Sequence, residues 1–177
     1  QVIQYTEGIP TELKGAFITI GNFDGVHLGH RHVFQRLIQA ARAAKRKTLL
    51  VTFVPHPKMV MHPERRPFYL LTTLEEKINL LAELGLDAVI LVPFTIQYAA
   101  TTAEKFIDDF LWKNLRVKKI FIGHDYKFGQ GQAGNKEMLE ARGQKLDFEV
   151  EVINAFSCGD VVINSTRIRK AILAGDV

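Results

Sequence analysis

The chain has 177 residues and a mass of 20.0 kDa, a length that holds one domain, or one domain with a small annex. Hydrophobic residues make up 47% and charged residues 24%, which excludes a disordered tail, a collagen-like fibre and a disulfide-built miniprotein. Lys plus Arg is 23 against 19 for Asp plus Glu, so the formal charge is +4, a mild excess that suits an anionic ligand such as a nucleotide.

The basic clusters Lys45-Arg46-Lys47, Arg65-Arg66 and Lys118-Lys119 are scattered, and each reads as solvated surface, so nucleic acid is not an expected partner. Cys158 is alone, which rules out an internal disulfide and a thiolate metal cluster and fits a reducing cytoplasm. No apolar run approaches the roughly 20 residues that span a bilayer, so no membrane partner is expected. The N-terminus has no basic start followed by an apolar stretch, so no signal peptide is expected either.

In chain order, residues 16–20 and 48–53 are short, β-branched-rich runs that read as buried strands. Between them, Val33, Phe34, Leu37, Ile38 and Ala41 recur at helical spacing, predicting a helix over 28–47. Four prolines in residues 55–67 argue against a regular helix, and that stretch reads as an ordered insert, about 55–68, at the end of the second strand. Thr73 with Glu76 three residues on is a capping box for the next helix, and Gly85 stops it. Residues 88–92 read as a strand, and Thr101 with Glu104 starts a helix through Phe106, Ile107, Phe110 and Leu111. Strands follow over 119–122 and 148–153, with an irregular stretch 123–134 after the first of them. A last helix follows Ser165 and Thr166 and ends at Gly175. This alternation predicts an α/β fold: a Rossmann-like, doubly wound, mostly parallel sheet with helices on both faces. In such sheets, ligands bind at the carboxyl edge, where both irregular stretches emerge.

The chemistry concentrates directly after the first strand, in Gly21-Asn22-Phe23-Asp24-Gly25-Val26-His27-Leu28-Gly29-His30. The glycines let the backbone turn tightly and approach a ligand. His27 and His30 are three apart at a helix start, on one face beside the positive end of the dipole, a geometry suited to phosphate oxygens. Metal ligands or surface residues are the alternatives, and neither explains Gly29 between the two rings. Near the end of the chain, Asn164-Ser165-Thr166-Arg167-Ile168-Arg169 offers helix-start hydroxyls and, one turn on, a guanidinium fork. Alone, that segment reads as a capped surface helix. Trp112 and Cys158 read as packing residues, and His32, His62 and His124 have no assigned role.

The His-x-Gly-His sequence at 27–30 resembles the nucleotidyltransferase superfamily, and the Ser-Thr-x-Ile-Arg segment resembles the element that completes its nucleotide site. The same four-residue theme occurs in class I aminoacyl-tRNA synthetases, but their second lysine-rich loop is missing here and the chain is too short. Further motifs narrow the resemblance: Thr52-Phe53-Val54-Pro55-His56-Pro57, Val92-Pro93-Phe94 with Tyr98-Ala99, Ile122-Gly123-His124-Asp125-Tyr126-Lys127-Phe128-Gly129, and the ending Ile172-Leu173-Ala174-Gly175-Asp176-Val177. Together these are similar to the N-terminal module of the bacterial bifunctional riboflavin kinase/FMN adenylyltransferases, the FAD synthetases. The departures are Asn164 where that family most often has Ser, and Tyr98 and Tyr126 where it has Phe; Asn still caps a helix and Tyr keeps an aromatic face.

The resemblance implies a nucleotidyltransferase enzyme that moves AMP from ATP to FMN, releasing FAD and pyrophosphate, as a single domain over 1–177 with the riboflavin kinase module absent. It implies His27, His30 and Arg169 as catalytic residues. Gly21, Asn22, Phe23, Asp24, Gly29, Ser165 and Thr166 would bind ATP. Pro55, His56, Asp125 and Phe128 would meet the flavin, with Phe94, Tyr98 and Tyr126 as further aromatic walls. Mg2+ would arrive with ATP, held by phosphate oxygens and water rather than by a protein metal site. Two rival functions remain: a transferase with another phosphate acceptor, and a non-catalytic flavin or nucleotide carrier. Oligomeric state is not legible.

Overall fold

The computed structural model describes residues 1–65 and 67–176. Arg66, grouped above with Arg65 as surface charge, and Val177, in the closing motif, lie outside the described residues. In chain order the elements are β1 (Val2–Gln4), β2 (Phe17–Ile20), α1 (Leu28–Ala43), β3 (Thr48–Val54), α2 (Pro57–Met61), α3 (Leu74–Glu83), β4 (Ala88–Pro93) and α4 (Ile96–Ala99). Then come α5 (Ala103–Lys105), which continues as a π-helix over Phe106–Asn114, β5 (Lys119–Gly123), α6 (Lys136–Leu146), β6 (Glu149–Ile153), the ribbon β7 (Ser157–Cys158) and β8 (Val161–Val162), and α7 (Ser165–Ala174).

Strands β1 to β6 form one sheet, all neighbours parallel, in the order β1-β4-β3-β2-β5-β6. The chain moves outward from β2 through β3 to β4, then returns to the other side of β2 for β5 and β6. The order therefore reverses between β2 and β5, and in open α/β sheets ligands bind outside the strands' carboxyl ends at such a switch point. The loop carrying His27 and His30 leaves β2 there, so topology alone places it at the ligand edge.

Alternate side chains of each strand enter opposite layers, as the pleat requires. Leu49, Val51, Ile90, Val92, Ile120 and Ile122 face Phe106, Ile107, Phe110, Leu111 and Leu139 from the π-helix and α6. Leu50, Val89 and Leu91 face Phe34 and Ile38 of α1 and Leu81 of α3 on the other side. Each fully buried side chain of this kind contributes roughly 1.5–3 kcal/mol. The doubly wound α/β architecture is thus as the alternation of elements predicts.

Several local expectations are corrected. α1 ends at Ala43, not Lys47: Lys45 turns left-handed (φ 53°), and Arg46 N–H bonds back to Ala41 C=O at 2.8 Å with Lys45 N–H to Arg42 C=O at 3.1 Å. That is a Schellman stop made without the usual glycine. Within 55–67, prolines begin short helices rather than excluding them. His56 caps α2 with Pro57 at its first position, and Pro63 opens a 3-10 turn over Pro63–Arg65. Thr102, not Thr101, caps α5, and the segment through Phe106 and Leu111 winds as a π-helix. Asn164, not Ser165 or Thr166, caps α7, accepting from Arg167 N–H at 2.9 Å. Cys158 is exposed on the ribbon, so it is not a packing residue, whereas Trp112 is half-buried beneath Arg116. β1 and α6 were not anticipated.

Candidate active site

The stretch from Gly21 to Leu28 is held in shape by its neighbours. Phe23 (φ 47°) and Val26 (φ 39°) adopt left-handed backbone that non-glycine residues rarely take, and both are buried. Phe23 packs on Phe34, with ring centroids 4.7 Å apart, so its side chain anchors the loop in the core. Gly29 allows the closest approach. A Cβ there would lie 3.3 Å from the His27 ring and from Ile163 C=O, which explains a residue without a side chain between the two histidines.

His27 is the N-cap of α1. Its Nδ1 accepts from His30 N–H at 3.3 Å, so in the neutral ring the proton sits on Nε2. The two imidazoles stack 3.5 Å apart, 22° from parallel. Burial, then the neighbouring His27 and lastly the charge of Lys77, hold His30 down to about 3; burial also lowers His27, with Asp24 opposing and Arg169 assisting. Both rings are therefore neutral near pH 7 and act through hydrogen bonds rather than charge. His27 Nε2, His30 Nδ1 and Asn22 Oδ1 are buried without a partner in the protein. Such orphaned polar atoms are rare and ask for a reason. Three within nine residues, at a helix start on the sheet's switch point, describe a cradle for a polar ligand.

Asp24 lies at the centre of the arrangement, its side chain only 5% exposed. It accepts from Leu71 N–H at 3.0 Å, from Thr72 N–H at 3.2 Å and from Arg169, whose Nε–H also reaches Tyr69 C=O at 2.8 Å. The Arg169 guanidinium lies over Phe68, 4.6 Å from the ring centroid, and Phe68 in turn packs on His56 at 4.8 Å. Ser165 donates its hydroxyl to Asp24 C=O at 3.1 Å, docking the start of α7 onto the glycine loop. Thr166, one residue on, is exposed. So the glycine loop, Ser165, Arg169 and, through Phe68, His56 lie together, with Thr166 exposed beside Ser165. The carboxylate of Asp24 and the fork of Arg169, however, are engaged with each other.

The flavin-side residues divide. Burial lowers His56 to about 4, and Asp24 and Arg169 act on it. Pro55, after a cis Val54–Pro55 bond, and Asp125 are exposed. Phe128 is buried in the main core, against Phe106 and Tyr126 with centroids 5.5 and 5.7 Å away. Phe53, Phe94 and Tyr98 form a separate aromatic corner, and Tyr98 Oη is buried without a partner. Sequence reasoning missed Tyr69, Leu71 and Thr72, whose backbone meets Asp24 and Arg169, and Lys77, which reaches Asn22 and Thr52; all these partners are distant in the chain. Among the described residues, no group of three His, Cys, Asp or Glu could hold a metal ion.

Comparison with known proteins places this loop in a family. Residues 9–167 match the FAD synthetase family. The chain belongs to the FAD synthetase family. It is 40% identical over 159 residues to the bifunctional riboflavin kinase/FMN adenylyltransferase of Escherichia coli K12, covering 90% of this chain and 50% of that protein. The Haemophilus influenzae protein of the same name is 35% identical over 177 residues, covering 100% of this chain and 57% of the relative. This FAD synthetase chain therefore spans about half the length of the curated relatives it matches. A Streptococcus pneumoniae structure described as a macrolide-efflux protein superposes with a TM-score of 0.83 at 28% identity, over 100% of this chain and 59% of that one. No helix among the described residues here is long and apolar enough to cross a membrane. Pantothenate synthetase from Thermus thermophilus shares the fold, with a TM-score of 0.60 at 15% identity over 95% of this chain and 67% of that one.

The low histidine pKa values carry a consequence for stability. In the unfolded chain His30 and His56 take up protons near 6.5, whereas in the fold they resist protonation until about 3 and about 4. Their contribution is complete above about pH 6.5 and is lost as the pH falls towards those values. Urea unfolding at about pH 5 is expected to show a lower midpoint than at about pH 7.5, and His30→Gln should make the difference smaller. Equal pH dependence in both proteins would contradict a buried neutral His30.

Proposed function

We propose that this chain transfers AMP from ATP to FMN, giving FAD and pyrophosphate. The observation that carries the reading is the set of buried, unpartnered polar atoms on Asn22, His27 and His30 at the switch point, in a chain of the FAD synthetase family. A phosphate oxygen of FMN attacks the α-phosphorus of ATP, a new P–O bond forms, and the bond to pyrophosphate breaks. No protein nucleophile is required, so the work is alignment and stabilisation of charge on the phosphoryl oxygens.

His27 donates from Nε2–H to a phosphoryl oxygen, held in that tautomer by its Nδ1 bond to the start of α1. His30, stacked behind it, keeps that ring in place and adds a second polar atom. Backbone N–H groups of Gly21 to Asp24 and the open start of α7, with Ser165 and Thr166, receive the remaining phosphates, and Gly29 leaves room for them. Arg169 acts from its place beside Asp24, locking the insert over the cradle. Mg2+ arriving with ATP would be held by phosphate oxygens and water and would offset charge on the leaving pyrophosphate. A magnesium held by phosphate oxygens and water suits this site, because its one carboxylate, Asp24, is engaged by N–H donors. On the flavin side, Pro55, His56 and Asp125 border the route along which FMN approaches, with the Phe53–Phe94–Tyr98 corner beyond, whereas Phe128 is buried in the core and does not line it. The reading makes 1–177 a single catalytic domain of cytoplasmic type, acting on small molecules and not on nucleic acid.

The 177-residue chain incubated with ATP, Mg2+ and FMN is expected to yield FAD and pyrophosphate. The same chain with riboflavin in place of FMN is expected to yield no FMN, because these residues match the N-terminal half of the bifunctional relatives. Chromatography of both reactions decides. No FAD from FMN refutes the transfer, and FMN from riboflavin refutes the division of labour.

A further inference from the structure

α3 carries one charged side chain inward. Asp24 and Lys77 are the charged residues that are buried among the described residues, and Lys77 is 9% exposed. Its Nζ donates to Asn22 C=O and to Thr52 Oγ1, each at 3.2 Å. Thr52 Oγ1 also donates to the same Asn22 C=O at 3.2 Å. Were the ammonium removed, carbonyl and hydroxyl would remain bonded to each other, so hydrogen bonding within the protein does not require a cation here. Burying one is costly, and an interior of this kind keeps it only for a reason.

The charges supply that reason. Asp24 accepts from Arg169, Leu71 and Thr72, and it makes no hydrogen bond to Lys77. With His27 and His30 neutral, one carboxylate stands against two cations, and the buried group is left with one positive charge over. Burial lowers Lys77 and Asp24 opposes that, while the lysine's charge in turn depresses His30. The ammonium therefore lies close enough to the cradle to be felt at His30. A peptide group is planar, its C=O and the following N–H pointing opposite ways. Drawing Asn22 C=O towards Lys77 turns Phe23 N–H away from the lysine.

We propose that Lys77 is a positioning residue that holds the Asn22 peptide from below and supplies the unmatched positive charge that a substrate polyphosphate neutralises. The inference rests on the adenylyl-transfer reading and deepens it, by naming the group that gives the neutral histidine cradle its affinity for anions. Lys77 does not touch the reacting atoms; it acts through the loop and through its field.

The test compares Lys77→Met and Lys77→Arg with the wild-type chain in three measurements: urea midpoint, calorimetric binding of pyrophosphate, and FAD formation against ATP and FMN concentration. Lys77→Met is expected to keep or raise the midpoint, to weaken pyrophosphate binding and raise the KM for ATP about tenfold or more, and to leave the KM for FMN nearly unchanged. Lys77→Arg, which keeps the charge, should recover most of that binding. Wild-type pyrophosphate binding by Lys77→Met overturns the proposal, as does a lowered midpoint with binding intact in the folded protein. Should Lys77→Met not fold, Lys77→Arg decides: pyrophosphate binding retained supports the role of charge, and binding lost overturns it. Absence of FAD from the wild-type chain would refute the adenylyl-transfer reading alone, because pyrophosphate binding still reports on Lys77.

Discussion

His30→Ala is expected to lower the rate of FAD formation by about 10²–10³-fold while leaving the chain folded, the loss typical when one positioned group at a phosphoryl or acyl transition state is removed. The local bonds explain why folding should survive. The N–H that closes the cap on His27 belongs to the backbone of residue 30 and remains when its side chain is shortened. The ring that disappears carries an unpartnered Nδ1 and packs edge-on to Phe23 at 4.9 Å, so its removal relieves one unsatisfied atom and opens a small void. His27→Ala should lose a similar factor in rate and, in addition, the cap itself, about 1 kcal/mol of stability. The pair is thus distinguishable: both slow, one also weakened. Turnover and urea midpoints measured side by side provide the check. A His30→Ala chain that retains near-wild-type turnover, or that is unfolded in buffer, removes these residues from the proposed chemistry.

What the sequence made legible was whatever depends on local rules. The glycine loop, the two histidines at helical spacing and the capping box at Thr73 and Glu76 are each decided within a few residues, and each stands where the pattern predicts. Whatever depends on a partner far along the chain was hidden. Lys77 follows Glu75 and Glu76 on α3 and reads as a surface lysine until the packing of Asn22 and Thr52 against it is known. α6 escaped because Leu139 is its one buried large side chain, which leaves too little apolar periodicity to register. The stop of α1 escaped because Lys45, a good helix former, takes the left-handed turn that a glycine would have announced. The three-residue strand β1 lies at the sheet edge, too short for any alternation to show. Most consequential is Asp24, whose ligand-facing appearance in the motif gives way to a buried carboxylate joining the insert, the glycine loop and α7.

That joint makes Arg169 the most costly residue at the site to remove. Its side chain is 13% exposed and its partner Asp24 only 5%, so the pair is shielded from solvent and little screened by salt. Arg169→Ala would strip the cation from a buried carboxylate that keeps only its bonds from the Leu71 and Thr72 backbone and the Thr72 hydroxyl. Breaking a buried pair from one side costs about 3–5 kcal/mol, and the remaining donors place this case near the lower end, about 3 kcal/mol. The loss should spread to the insert, because Nε–H no longer holds Tyr69 C=O and Phe68 loses the cation from its face. Arg169→Lys keeps a charge, but one ammonium cannot reproduce the planar fork that serves Tyr69 and Asp24 at once, so it should fall between. Adding Asp24→Asn to Arg169→Ala removes the stranded charge, and the double variant is expected to be more stable than the two single losses added together predict, by about 2 kcal/mol. Urea unfolding of the four proteins gives that coupling directly, and FAD formation by the same set shows whether ATP handling follows the joint. An Arg169→Ala chain with a wild-type midpoint, or strict additivity in the cycle, would return Arg169 to the exposed, phosphate-seeking role that its motif suggests.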